Sequence, residues 1–225
     1  MKDTRTAIVN LKNYPETFGN GALRFARIVE KVADATETRI IIAPPLPSLS
    51  EVASAVRVPV YSQKIDYNAA GKSTGAVVPE ALAAFHVRGS LINHSESKVH
   101  MSAVKGLMQI AKNAGLEVCV FAQTTEEVRR LVKFQPDYIA VEPREAIGTG
   151  YPLVQYRPHL IRESVQLANK EHFAGELLCG GSLSKVEHVK QVVQHGMNGI
   201  VFSSGFVYAS DPYETLKGMV RALGV

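Results

Sequence analysis

Glu142 ends an apolar run, Tyr138-Ile139-Ala140-Val141, and is followed at once by Pro143. Proline fixes φ and stops a strand. Two glycines one residue apart, Gly148 and Gly150, come next. Glycine reaches backbone angles closed to other residues, so this stretch can hinge or lay N–H groups against an anion. A carboxylate at a strand end beside a Gly-rich flap is a layout for proton transfer beneath a lid. Taken alone, it also reads as a surface Glu beside an ordinary loop. Other chemistry-bearing residues recur at the ends of apolar runs: Asn10 and Lys12, then Asn93, His94 and Glu96. Gly180-Gly181-Ser182 and Ser203-Ser204-Gly205 complete the set. Each has a plain reading too. Lys12 is a solvated lysine, His94 satisfies a strand end, and Gly180-Gly181 makes a turn.

What would gather these groups is the order of elements. Strand-like runs are expected at Thr6–Asn10, Arg39–Ala43, Val58–Gln63, Gly89–Asn93, Val118–Phe121, Tyr138–Val141, Glu176–Cys179 and Gly199–Phe202. Helix-like periods lie between them. One places Ala22, Phe25, Ala26, Val29, Val32 and Ala33 on a single face. Others cover Leu49 to Ala55, Pro79 to Phe85, Met101 to Ala111 with Gly115 as stop, Pro158 to Asn169, and Pro212 to Leu223. Thr125 is expected to cap the helix with Val128, Leu131 and Val132 inward, and Ser184 the one with Val186, Val189 and Val193 inward. The long segment 64–78, with Gly71 and Gly75, has the length of a functional or interface loop. Near-continuous apolar strands alternating with helices imply parallel pairing through right-handed crossovers. Eight such units in 225 residues without a composition break predict one α/β domain, residues 1–225, folded as a (β/α)8 barrel. A doubly wound open sheet competes, but the glycines after the first strand do not form G-x-G-x-x-G. In a barrel, residues past the strand C-termini share one mouth, which converts scattered positions into a site.

Composition narrows the classes. With 46% hydrophobic and 20% charged residues, a core is easily built. No apolar run approaches the roughly 20 residues of a membrane span, and the first residues lack a signal peptide's apolar stretch. The net charge of +4 suits anionic substrates through weak steering. Its scattered lysines and arginines do not suggest nucleic-acid binding. Cys119 and Cys179 each sit in an apolar run, and read as buried free thiols in a reducing, cytoplasmic compartment. No CxxC or paired His suggests a metal site. His86, His100, His159, His172, His188 and His195 receive no role.

At the strand ends the chain strongly resembles the triosephosphate isomerase family. The matching pieces are Asn10-Leu11-Lys12, Asn93-His94-Ser95-Glu96, Val141-Glu142-Pro143, Ala146-Ile147-Gly148-Thr149-Gly150 and Gly180-Gly181-Ser182. Five motifs in register along essentially the whole chain make a specific match, and the short length with Asn before His94 resembles the compact archaeal branch. The resemblance implies the TIM-barrel architecture and interconversion of dihydroxyacetone phosphate and glyceraldehyde 3-phosphate without cofactor or metal. It implies Glu142 as base and His94 as the electrophile that shuttles protons. A neutral imidazole in that role is a known property of this family, not a deduction from this sequence. Lys12 would stabilise the enediolate, Asn10 hold Lys12 and the substrate, and Glu96 pair with Lys12. Ile147, Gly148, Gly181, Ser182, Ser203 and Ser204 would surround the phosphate, helped by a short helix after strand eight. Residues Pro143, Arg144, Glu145, Ala146, Ile147, Gly148, Thr149 and Gly150 would form the lid.

Three departures stand out. Arg144-Glu145 replaces an apolar residue and Trp in the lid's first hinge, Ser203-Ser204 replaces a glycine pair, and Ser97-Lys98 replaces a basic pair. The loop around Thr74 and Gly75 resembles the segment that family members insert into a neighbouring subunit, so a homo-oligomer built on dimers is expected. Two other readings are a Schiff-base aldolase with Lys12 as nucleophile and a catalytically silent barrel that binds a partner. Pairing of Lys12 with Glu96 keeps the amine charged and argues against the aldolase.

Overall fold

The computed structural model describes residues 5–147 and 151–224. The elements run β1 (Thr6–Asn10), α1 (Asn20–Thr36), β2 (Arg39–Ala43), α2 (Leu49–Ala55), β3 (Tyr61–Ser62), α3 (Pro79–Ala84), β4 (Gly89–Ile92) and α4 (Met101–Asn113). They continue β5 (Glu117–Ala122), α5 (Thr125–Phe134), β6 (Tyr138–Val141), α6 (Leu153–Tyr156), α7 (Pro158–Lys170) and β7 (Glu176–Cys179). The last are α8 (Val186–Gln194), β8 (Gly199–Phe202), α9 (Ser204–Val207) and α10 (Pro212–Arg221). All strand pairs are parallel, in the order β2-β1-β8-β7-β6-β5-β4-β3. A single bridge, Ile42 to Val60, joins β2 to the start of the β3 segment and closes the barrel.

The strands are apolar on both faces because both faces are covered. In β1, Ile8 points into the barrel, where it meets Ile41, Leu91 and Val201. Its neighbours Ala7 and Val9 face the helices, against residues such as Ala22, Phe25 and Val29 of α1. The same alternation runs around the ring. The N-terminal end of the barrel is stoppered by polar side chains. Arg39 pairs with Glu117 at 2.6 Å and donates to the Tyr138 hydroxyl at 3.0 Å, while the Tyr61 hydroxyl donates to Glu117. Burial pushes the Tyr138 phenol up to about 12.

Local chemistry explains the ends. Gly115, with φ +75°, follows α4, and Leu116 N–H returns to Ala111 O at 2.9 Å, as a left-handed C-terminal stop requires. The cap of α5 is Thr124, one residue before the expected Thr125. Its Oγ1 accepts from Glu127 N at 3.2 Å. The sequence pattern agrees, since the acidic residue three positions on belongs to Thr124. Ser184 does not cap α8. Lys185 is extended there, and Ser184 N–H reaches His188 Nδ1 at 3.4 Å. α8 buries His188, Val189 and Val192, while Val193 is half-buried against the core. The third strand shrinks to two residues because Pro59 has no N–H to pair. Its carbonyl still accepts from Ile42 N at 3.0 Å. Among the described residues no helix is long and apolar enough to cross a membrane.

Candidate active site

The inward period of two carries each strand's last inward residue to the C-terminal mouth. Asn10 follows Ile8, Asn93 follows Leu91, Glu142 follows Ala140, Gly180 follows Leu178, and Ser203 follows Val201. His94 and Lys12 need a further device. Asn93 has φ +63° and Lys12 φ +49°, left-handed turns that take the chain off the strand's alternation at both places. Asn93 is held by donating to Phe121 O at 2.9 Å and accepting from Val99 N at 3.3 Å. At Lys12, the backbone N–H donates to Asn10 Oδ1 at 3.0 Å.

Lys12 Nζ donates to Glu96 Oε1 at 2.7 Å, with the lysine side chain 12% exposed and the glutamate 52%. Glu96 N–H donates to His94 Nδ1 at 3.1 Å. A ring nitrogen that accepts carries no proton, so His94 is neutral with its proton on Nε2. Nε2 lies 3.0 Å from Glu142 Oε2. Among the described residues Oε2 is buried without a hydrogen-bond partner. The Ser95 hydroxyl is likewise buried and without a partner among the described residues. Burial, followed by the Glu142 carboxylate, pushes the thiols of Cys119 and Cys179 up, so both stay uncharged. The space above Glu142 exists because residue 180 is glycine. A Cβ there would stand 2.6 Å from Glu142 Oε1 and 3.0 Å from its Cβ.

The loop after β6 begins with a 3-10 turn, Arg144–Ala146. Ala146 is buried, and its carbonyl accepts from Ser182 Oγ at 2.6 Å. Glu145 pairs with Arg157 at 2.8 Å, at the junction of α6 and α7. Gly148, Thr149 and Gly150 lie outside the described residues. The Ser203 hydroxyl is buried without a partner among the described residues.

One cavity of about 320 Å³ gathers Asn10, Lys12, His94, Glu96, Glu142, Ile147, Gly181, Ser182, Ser203 and Ser204, along with Tyr14. An adjoining cavity of about 450 Å³ shares Asn10, Lys12, His94 and Glu96 and extends to Gln63 and Lys64. Thr74 and Gly75 line neither and are exposed. At the other barrel end a cavity of about 390 Å³ is comparable in size, but there Arg39 is held by Glu117 and Tyr138. Volume alone does not pick the site; the unlike charges around one space do. Among the described residues no three His, Cys, Asp or Glu side chains are grouped to hold a metal ion.

Three supports were not assigned from residue type. Gln63 Nε2 donates to Lys12 O at 3.0 Å and Ala43 O at 3.2 Å, fixing the lysine's backbone. Arg157 pairs with Glu145 in the turn after Pro143. Phe121 meets the His94 ring edge-on, with centroids 4.7 Å apart. Only Gln63 was legible in part, as the inward residue two past Tyr61.

An eight-stranded barrel with a carboxylate, a neutral imidazole and a paired ammonium around one cavity is an arrangement able to move protons. Residues 5–220 match the family model described as triosephosphate isomerase. The triosephosphate isomerase of Methanocaldococcus jannaschii is 34% identical over 214 residues, covering 95% of this chain and 98% of that one. That of Metallosphaera sedula is 36% identical over 220 residues, covering 96% of each. That of Methanobrevibacter smithii is 31% identical over 221 residues, covering 98% of this chain and all of the other. The chain belongs to the triosephosphate isomerase family.

Proposed function

We propose that Glu142 and His94 carry out the family's aldose–ketose interconversion, between dihydroxyacetone phosphate and D-glyceraldehyde 3-phosphate, a step of glycolysis and gluconeogenesis. Glu142 takes a proton from the carbon beside the carbonyl. The electron pair moves to the carbonyl oxygen, which receives the proton of His94 Nε2–H. The enediolate forms beside Lys12, whose charge it needs. Glu142 returns its proton to the neighbouring carbon, and His94 regains one from the other oxygen. One carbon is oxidised as its neighbour is reduced, so the atoms balance with no cofactor. Supporting this reading, one cavity holds Glu142 Oε2 3.0 Å from His94 Nε2.

Asn10 hydrogen-bonds the substrate, and Glu96 keeps Lys12 extended and charged, which disfavours the aldolase alternative. Ile147, Gly148, Gly181, Ser182, Ser203 and Ser204 take the phosphate. Residues Pro143 to Gly150 act as the lid that excludes water from the enediolate. In a coupled assay, Glu142→Gln is expected to lose ~10²–10⁴ in kcat. Activity within about tenfold of the native enzyme would rule out Glu142 as the base.

The whole chain is one domain, working in the cytoplasm as a homo-oligomer. Buried free thiols support that compartment. The exposed loop with Thr74 and Gly75 supports the assembly. Sedimentation at micromolar concentration is expected to give at least a dimer; a monomer would refute it.

A further inference from the structure

We propose that Phe121 is a positioning residue for His94, fixing the imidazole plane so that Nε2 points into the cavity. This rests on His94 being the imidazole that transfers protons. The hydrogen bond from Glu96 N to His94 Nδ1 at 3.1 Å holds one nitrogen. One such bond still lets the ring rock about its Cβ–Cγ bond, a soft torsion. Phe121 removes that freedom. Its ring lies T-shaped against the imidazole, centroids 4.7 Å apart and planes at 72°, the arrangement aromatic pairs prefer. Phe121 is itself fully buried in the barrel interior.

A second contact runs from the same residue. The Phe121 carbonyl accepts from Asn93 Nδ2 at 2.9 Å, and Asn93 carries the left-handed turn immediately before His94. One residue of β5 therefore meets both the imidazole and the turn that delivers it. Nε2 has to serve two oxygens on adjacent carbons in turn, so a tilted ring reaches one and misses the other. An aliphatic side chain of similar volume would fill the barrel without directing the ring.

The test uses the full-length enzyme with Phe121→Leu and the roomier-chained Phe121→Met, with His94→Gln as benchmark. Steady-state kinetics are read in both directions, with the infrared carbonyl stretch of bound dihydroxyacetone phosphate. Losing one aromatic contact is expected to lower kcat about tenfold while KM moves less than about twofold. The carbonyl stretch should shift towards the free-substrate value in both variants. Ile41→Val, in the same barrel interior, gauges a purely structural loss and should leave the stretch alone. Unchanged kcat and stretch in the Phe121 variants would overturn the proposal. So would a fall in Tm with the stretch unmoved. If His94→Gln itself keeps kcat within about tenfold, the role given to His94 has failed, and the role of Phe121 with it.

Discussion

Glu142 occupies a place that Gly180 leaves open, which makes one methyl group decisive. In Gly180→Ala the new Cβ would meet the glutamate at 2.6 Å from Oε1 and 2.8 Å from Cδ, so the carboxylate has to move. Displacing a reacting group by about an ångström costs roughly a hundredfold in rate, so kcat is expected to fall tenfold to a hundredfold. Overpacking also costs about 1–3 kcal/mol of stability. Assay and thermal melting read the two effects, and a fully active Gly180→Ala would show that Glu142 has room to spare. At this scale the sequence was legible where residue type and strand end coincide, as at Glu142, His94 and Lys12. Gly180 read only as part of a turn or phosphate loop, because its role depends on a distance across two strands.

At the scale of elements, the hinge turn after Pro143 is the departure that mattered. Glu145 is paired to Arg157 at 2.8 Å with both side chains more than a third exposed. Exposed pairs contribute about 0–1 kcal/mol to stability, so Glu145→Arg should barely move Tm. It should lower kcat/KM a few-fold by freeing the turn, and adding Arg157→Glu should restore it. Unchanged kcat/KM in the single variant would remove the pair from the hinge. Arg157 could not be found in advance, since it lies far along the chain from Glu145 and no local period links the two. Helices and strands were legible because periodicity is a local property. The third strand was over-read because Pro59 removes one ladder donor, and the α5 cap was misplaced because two threonines compete for it.

For the molecule as a whole, pH enters stability through His188. It is buried on α8, and burial, with Lys185 adding, holds its imidazole below the usual range against the opposing pull of Glu187. The folded chain therefore binds fewer protons there than the unfolded chain. The stabilisation is complete above the unfolded value of about 6.5 and is lost as pH falls through the lowered folded one. Urea midpoints of the native protein should drop between about pH 7.5 and 5.5, and His188→Gln should show a shallower drop. Equal slopes would acquit His188. The barrel itself was legible from eight evenly spaced units, since only closure buries every strand on both faces.

The ring is joined between β2 and β3 by one bridge, Ile42 to Val60. A slit so thinly laced should open before any other line in the sheet, so deuterium should enter at the Ile42 amide, which donates to Pro59 O across it, while the β4–β5 ladder stays protected. Uniform protection around the ring would refute this. Gln63 lies across that slit, gripping Ala43 O from β2 and Lys12 O beyond β1 with one amide. Gln63→Ala should widen the fluctuation, and the lysine would feel it first, so the most weakly sealed part of the wall is also where the backbone of Lys12, the proposed countercharge, is anchored.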